Sequence, residues 1–170
     1  PHGELVTSLV NANPVQARAI DLFGARVPEL RYEIDSLTGA TTTLMNKVGF
    51  LTRAQKGDTK DIALSFVRDN TDLFGLSVED VSDYSIVTDI QTGSMRHIYL
   101  QQMVEGLPVF NAFLQINIHA DGRILSVNNA FVPNLRSSFN RATPAITAEQ
   151  ALIAAAARVG RNAGPVYAVP

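Results

Sequence analysis

Two histidines and a scatter of carboxylates are the side chains whose spacing could do chemistry. The chain holds His2, His97 and His119, and no cysteine. Thiol nucleophiles, disulfide staples and cysteine-based zinc sites are therefore excluded. If the turn at 105–108 sets Ile98 and Leu100 against Ile116 and Leu114, His97 opposes Asn117. His119 then becomes its diagonal neighbour, about 7–8 Å away between Cα atoms. Two imidazoles on one sheet face could begin a metal site, but a third ligand is not evident nearby. We assign no metal and no cofactor.

Carboxylate pairs could do acid–base work. Glu29, Glu33 and Asp35 are interleaved with apolar residues, which is the pattern of a solvated strand face. Asp58, Asp61 and Asp69 fall on the polar side of a helix. His-Glu-x-x-His, Gly-x-Ser-x-Gly, Walker and Gly-x-Gly-x-x-Gly motifs are all absent. No residue is assigned as catalytic, and the chain reads as a non-enzyme.

The elements that would position any site read as follows. The chain has 170 residues, 46% hydrophobic and 18% charged, enough for a real core. Lys plus Arg total 14 against 16 Asp plus Glu, a net charge of −2 that argues against nucleic-acid binding. No apolar run approaches the roughly 18 residues of a membrane span. Residues 1–27 read as a leader or a packing helix, with Asn13-Pro14 as its start and Val15, Ala19, Ile20 and Phe23 on one face. The strict alternation of 29–35 predicts a half-buried strand with a return strand over 41–45. Asp58 and Asp61 mark the start of a helix that runs toward Asn70, and Gly75 is the stop.

Strand signals then follow almost without interruption, over 84–90, 95–104, 109–119 and 123–130. Asp121-Gly122 is the strongest hairpin signal, read as a turn with positive φ at both central positions. Four strands joined by short turns make a meander, and with the preceding helix on one face the class is α+β. After a boundary near 139–144, Thr147-Ala-Glu-Gln150 reads as a capping box, with Ile146 and Ala151 as its staple. An alanine-rich helix follows to about Gly160.

Gln101-Gln-Met-Val-Glu-Gly-Leu-Pro-Val-Phe-Asn111 resembles the signature of the fungalysin/thermolysin propeptide domain. His119-Ala-Asp-Gly-Arg-Ile-Leu-Ser-Val-Asn128 resembles the hairpin that follows it, and 61–76, ending in Leu-Phe-Gly-Leu, resembles its helix. Arg31-Tyr-Glu-Ile-Asp35 with Thr38-Gly39 is similar to the opening hairpin of such propeptides. Residues 144–160 resemble the first helix of a PepSY domain, so the chain divides into 1–27, 28–140 and an incomplete PepSY-like part, 144–170.

The resemblance implies a cystatin-like sheet with a helix against it. It implies the propeptide of a secreted zinc metalloendopeptidase, acting on its own catalytic domain as intramolecular chaperone and inhibitor. A stand-alone secreted or cell-surface binding module with the same fold is the alternative. The candidate partner contact is Gly106, Leu107, Pro108, Val109 and Phe110. Gly106 permits positive φ and Pro108 restricts the conformation of Leu107, which together suggest a fixed loop. Either this turn only sets hairpin register and Phe110 drops into the core, or its apolar tip meets the catalytic domain.

Overall fold

The computed structural model describes residues 12–139 and 146–162. Among the described residues there are six strands: β1 Leu30–Ile34, β2 Thr41–Asn46, β3 Tyr84–Thr92, β4 Met95–Val104, β5 Leu107–His119 and β6 Ile124–Asn129. All pair antiparallel in one sheet of order β1-β2-β6-β5-β4-β3. The expected meander of β3 to β6 is present. The β1–β2 hairpin, which the sequence left separate, docks on β6 through Thr43, Leu44 and Met45. That contact joins residues more than eighty positions apart, so no local pattern announces it.

One face of the sheet is covered by helices. Helix α2, Thr59–Asp69, starts at Asp58, whose carboxylate accepts from the backbone N–H groups of Lys60 and Asp61. Carboxylates suit the free amides and positive dipole end found there. Its Ala63, Phe66 and Val67 are buried with Ile98, Leu100, Leu114 and Ile116 in one cluster. Phe66 packs edge-on against Phe23 at 6.0 Å and Phe74 at 6.4 Å. The α2 stripe and the sheet thus close a single core, and the class is α+β.

Helix α1, Pro14–Gly24, is part of that core rather than a loose leader. Asn13 caps it, as the Asn-Pro pair indicates. Its buried face differs from the expected one: Val15 is exposed and Gln16 is buried in its place. The physical reason is a polar tether. Gln16 Nε2 donates to the Gly39 carbonyl and to Thr41 Oγ1, each at 3.0 Å, and Thr41 Oγ1 donates to the Leu73 carbonyl at 2.6 Å. Those bonds tie α1, the β1–β2 turn and the short helix α3, Thr71–Phe74, together. Asn70 interrupts the run between α2 and α3, and Gly75 closes it with φ of 66°.

The Asp121-Gly122 turn also departs from expectation. Gly122 has φ of 83°, but Asp121 does not take a positive φ. Gly122 N–H donates to the His119 carbonyl and His119 N–H to the Arg123 carbonyl, which closes a three-residue loop. This is the form in which one glycine carries the left-handed residue. Asp121 instead uses its carboxylate to accept from Arg123 N–H and Nε.

The chain divides into two compact units, 1–139 and 140–170. In the second, helix α5, Ala148–Arg158, begins in a complete capping box between Thr147 and Gln150. His2, Pro144 and Gly164-Pro165 lie outside the described residues.

Candidate functional site

The hairpin that joins β4 to β5 is built from two local conformations. Glu105 and Gly106 have φ of 53° and 78°, and Val104 pairs with Leu107 across them. This is a two-residue turn with both central residues left-handed, the geometry whose twist matches that of paired strands. Glycine suits the second position because of its φ: a Cβ there would meet no atom within 4 Å. The turn is tighter than the four-residue one the sequence suggested, and Pro108 already pairs with Met103 inside β5.

The second feature is a bulge. Met103 pairs with Pro108 and Gln101 with Phe113, so Val109 to Ala112 stand opposite Gln102 alone. Asn111 has φ of 57°. Asparagine tolerates that region better than most residues, because its short amide can bond locally. Counting back by twos from buried Leu114 and Ala112 would place Phe110 in the core. The left-handed residue at 111 breaks the two-residue period, and Phe110 is 88% exposed. The core reading of Phe110 is therefore wrong. Leu107 is 58% exposed, Val109 is half-buried, and Gly106 and Pro108 are exposed.

The tip is anchored from behind. Gln101 Nε2 donates to the Val109 carbonyl at 3.0 Å. Gln102, buried, turns inward and bonds Val132 and the Asp80 carbonyl. Asp80, also buried, accepts from Ser77 N–H and Oγ and from the N–H groups of Asn134 and Leu135. These bonds hold the segment leading to helix α4, Leu135–Ser138, beside β4. Ser77-Val-Glu-Asp80 reads in the sequence as the cap of a short turn, and the Ser77–Asp80 bonds make it one; the sequence gives no sign that Asp80 also holds Asn134 and Leu135 or that Gln102 turns inward.

The two histidines stand where register places them. His97 opposes Asn117, with Nδ1 2.6 Å from Asn117 Oδ1, and Met95 opposes His119. His119 Nδ1 lies 2.8 Å from Asp121 Oδ1, and its ring meets Phe50 edge-on. Among the described residues no three His, Cys, Asp or Glu side chains converge as metal ligands would.

A charged node sits on the helix side. Arg96 donates through Nε and Nη2 to the two Asp89 oxygens at 2.6 and 2.9 Å. Its Nη1 reaches Thr59 Oγ1 and the capping Asp58. The Arg96 hydrogen bond lowers the Asp89 pKa, and the same bond raises that of Arg96. Asp58 is lowered first by the amides of Lys60 and Asp61. This node pins α2 to the β3–β4 hairpin and offers nothing reactive.

Comparison with known proteins bears on the same region. The chain is 28% identical over 128 residues to the extracellular metalloproteinase MEP of Fusarium vanettenii. That match takes in 71% of this chain but 17% of the relative, so the chain spans about a sixth of the relative's length. The solved Bacillus megaterium YpeB C-terminal domain overlays 81% of this chain and 71% of its own, at 12% identity and a TM-score of 0.46. The pattern described as the Fungalysin/Thermolysin Propeptide Motif matches residues 83–131, which run through β3 to β6 and include the exposed hairpin. The chain carries a fungalysin/thermolysin propeptide motif.

Proposed function

We propose that this chain is propeptide of a secreted zinc metalloendopeptidase, assisting the folding of its own catalytic domain and holding that domain inactive until cleavage. The observation that carries the reading is the propeptide motif over 83–131, in a chain similar to an extracellular metalloproteinase. The zinc and the hydrolytic chemistry belong to the partner. The part of this chain is to bind. Helix α5 with its capping box is read as the opening of a PepSY-like domain.

Residues Gly106, Leu107, Pro108, Val109 and Phe110 are the proposed contact. A two-residue turn and a bulge fix the tip before docking, so little conformational entropy is lost on binding. Phe110 is the natural anchor, since aromatic side chains dominate interface energetics.

The test adds the purified chain to denatured peptidase domain during refolding, and separately to the active enzyme. The expected result is a higher refolding yield and a dose-dependent loss of peptidase activity. A folded chain that alters neither would sink the reading and leave the stand-alone binding module in its place.

A further inference from the structure

The face of the sheet that the helices leave open has no charge on it from β2 across to β3. The register fixes which side chains point there: positions 43 and 45 on β2, 126 and 128 on β6, and the odd positions 113–119 and 95–103 on β5 and β4, then 88, 90 and 92 on β3. None is Asp, Glu, Lys or Arg. An antiparallel sheet with one solvated face normally alternates apolar-in with polar-out, and charged residues are ordinary there. Here they stand at the rims: Arg31 pairs with Glu33 on β1, and Asp121 pairs with Arg123 beside His119 at the β5–β6 turn. Depletion of charge with retention of Tyr, Phe and Met is the compositional mark of an interface centre. Tyr99, Met103 and Phe113 supply that content.

The polar groups on this face are also bonded to one another. Asn117 Oδ1 faces His97 Nδ1 and accepts from Gln115 Nε2 at 3.0 Å, while Asn117 Nδ2 donates to Ser126 Oγ at 2.9 Å. Asn117 is only 9% exposed, although it points away from the core. Side chains laid flat in this way lose little entropy when covered, and polar groups already paired cost little to desolvate.

We infer that this open face, continuous with the hairpin tip, is where the peptidase domain packs; the identity of the occupant rests on the propeptide reading. Size supports a joint surface. Five strands about 4.8 Å apart, each about seven residues long at about 3.3 Å, make a plane of roughly 550 Å². A stable interface buries about 800 Å² per partner. The face alone falls short, and the adjoining tip, with Leu107 and Phe110, makes up the difference. Pro108 beside Met103 and Phe113 beside Gln101 are the seam between the two.

The chain has no cysteine, so single thiols report this directly. Gln115→Cys marks the open face and Arg68→Cys the helix side. Calorimetry first asks whether the wild-type chain binds an inactive peptidase domain, and thiol labelling then locates the contact. The expected result is labelling at Gln115→Cys slowed about tenfold or more by excess partner, with Arg68→Cys little changed. Asn128→Lys, which leaves an unpaired charge in the contact, is expected to raise Kd about tenfold. No wild-type binding overturns the propeptide reading itself. Binding that leaves Gln115→Cys freely labelled overturns only this inference. Slow labelling in the free chain overturns it as well: if relieved by dilution the occupant is a second copy, and if not, it is another part of this chain.

Discussion

Gln102 and Val132 hold each other by two reciprocal bonds. The Gln102 Oε1 accepts from the Val132 N–H at 2.8 Å, and its Nε2 donates to the Val132 carbonyl at 3.0 Å. Gln102 is also the residue opposite the bulge, so one position turns the hairpin outward and fastens the segment after β6 inward. Replacing it by leucine strands the backbone groups of Val132 and the Asp80 carbonyl. Gln102→Leu is expected to cost about 1–3 kcal/mol in urea unfolding, the range for a buried polar group left unpaired. A neutral result would mean that water reaches these groups.

Leu100→Ala tests the core. Leu100 is buried among Ile98, Leu114 and Ile116 beneath α2. Truncation there should cost about 2–5 kcal/mol. A loss under about 0.5 kcal/mol, the surface range, would put the helix on the other face.

The meander and the α2 stripe were legible because they rest on local alternation and i, i+4 spacing. His97 does oppose Asn117, but through a two-residue turn and a bulge over 109–112 that shifts the register by three residues, rather than through the turn length the sequence suggested. What stayed hidden depends on partners far along the chain. Nothing near Gln16 signals that it bonds Gly39 and Thr41, and nothing in β2 signals its pairing with β6. The sequence left Phe110 open between core and tip, because a left-handed asparagine about a third of the way along β5 looks, in sequence, like any strand residue. Asp-Gly and Glu-Gly reverse the expectation: the stronger dipeptide signal at 121–122 takes the three-residue form, and the weaker one at 105–106 takes both positive φ values.

Two glycines separate backbone strain from close approach. Gly106 and Gly122 have similar φ, 78° and 83°. A Cβ on Gly106 would stand in open space, whereas on Gly122 it would lie 2.4 Å from the Gln55 carbonyl oxygen. Gly106→Ala should cost about 1–2 kcal/mol, the penalty of a left-handed non-glycine residue. Gly122→Ala should cost more, because the 50–55 segment must also move. Equal losses in thermal unfolding would show that the Gln55 contact yields freely.

The Asp89–Arg96 pair predicts a pH signature. Its Arg96 hydrogen bond lowers the Asp89 pKa in the fold, so the ionised form is the one stabilised. That contribution is present in full above the unfolded carboxylate value, about 3.9, and is lost as pH falls through the lower folded value. Asp89→Asn should therefore be less stable than wild type near neutral pH, with the gap closing below about pH 4. Urea midpoints at several pH values check it. A gap that stays constant with pH would assign the loss to packing.

Phe110 gives the sharpest separation of folding from binding. Its ring is 88% exposed, held out by the bulge at Asn111. Phe110→Ala removes no core contact, so stability should stay within about 0.5 kcal/mol of wild type. Binding to the peptidase domain should weaken by about tenfold or more, as for an aromatic anchor at an interface. Gly106→Val is the structural counterpart, because a β-branched residue at φ of 78° strains the turn itself and should lower stability. Paired calorimetry and denaturation on both variants distinguish the cases. If Phe110→Ala unfolds the chain, the ring supports the fold from outside and the exposed tip is not an independent contact. If it changes neither stability nor affinity, the peptidase domain meets some other surface, and the open sheet face must be tested without the tip.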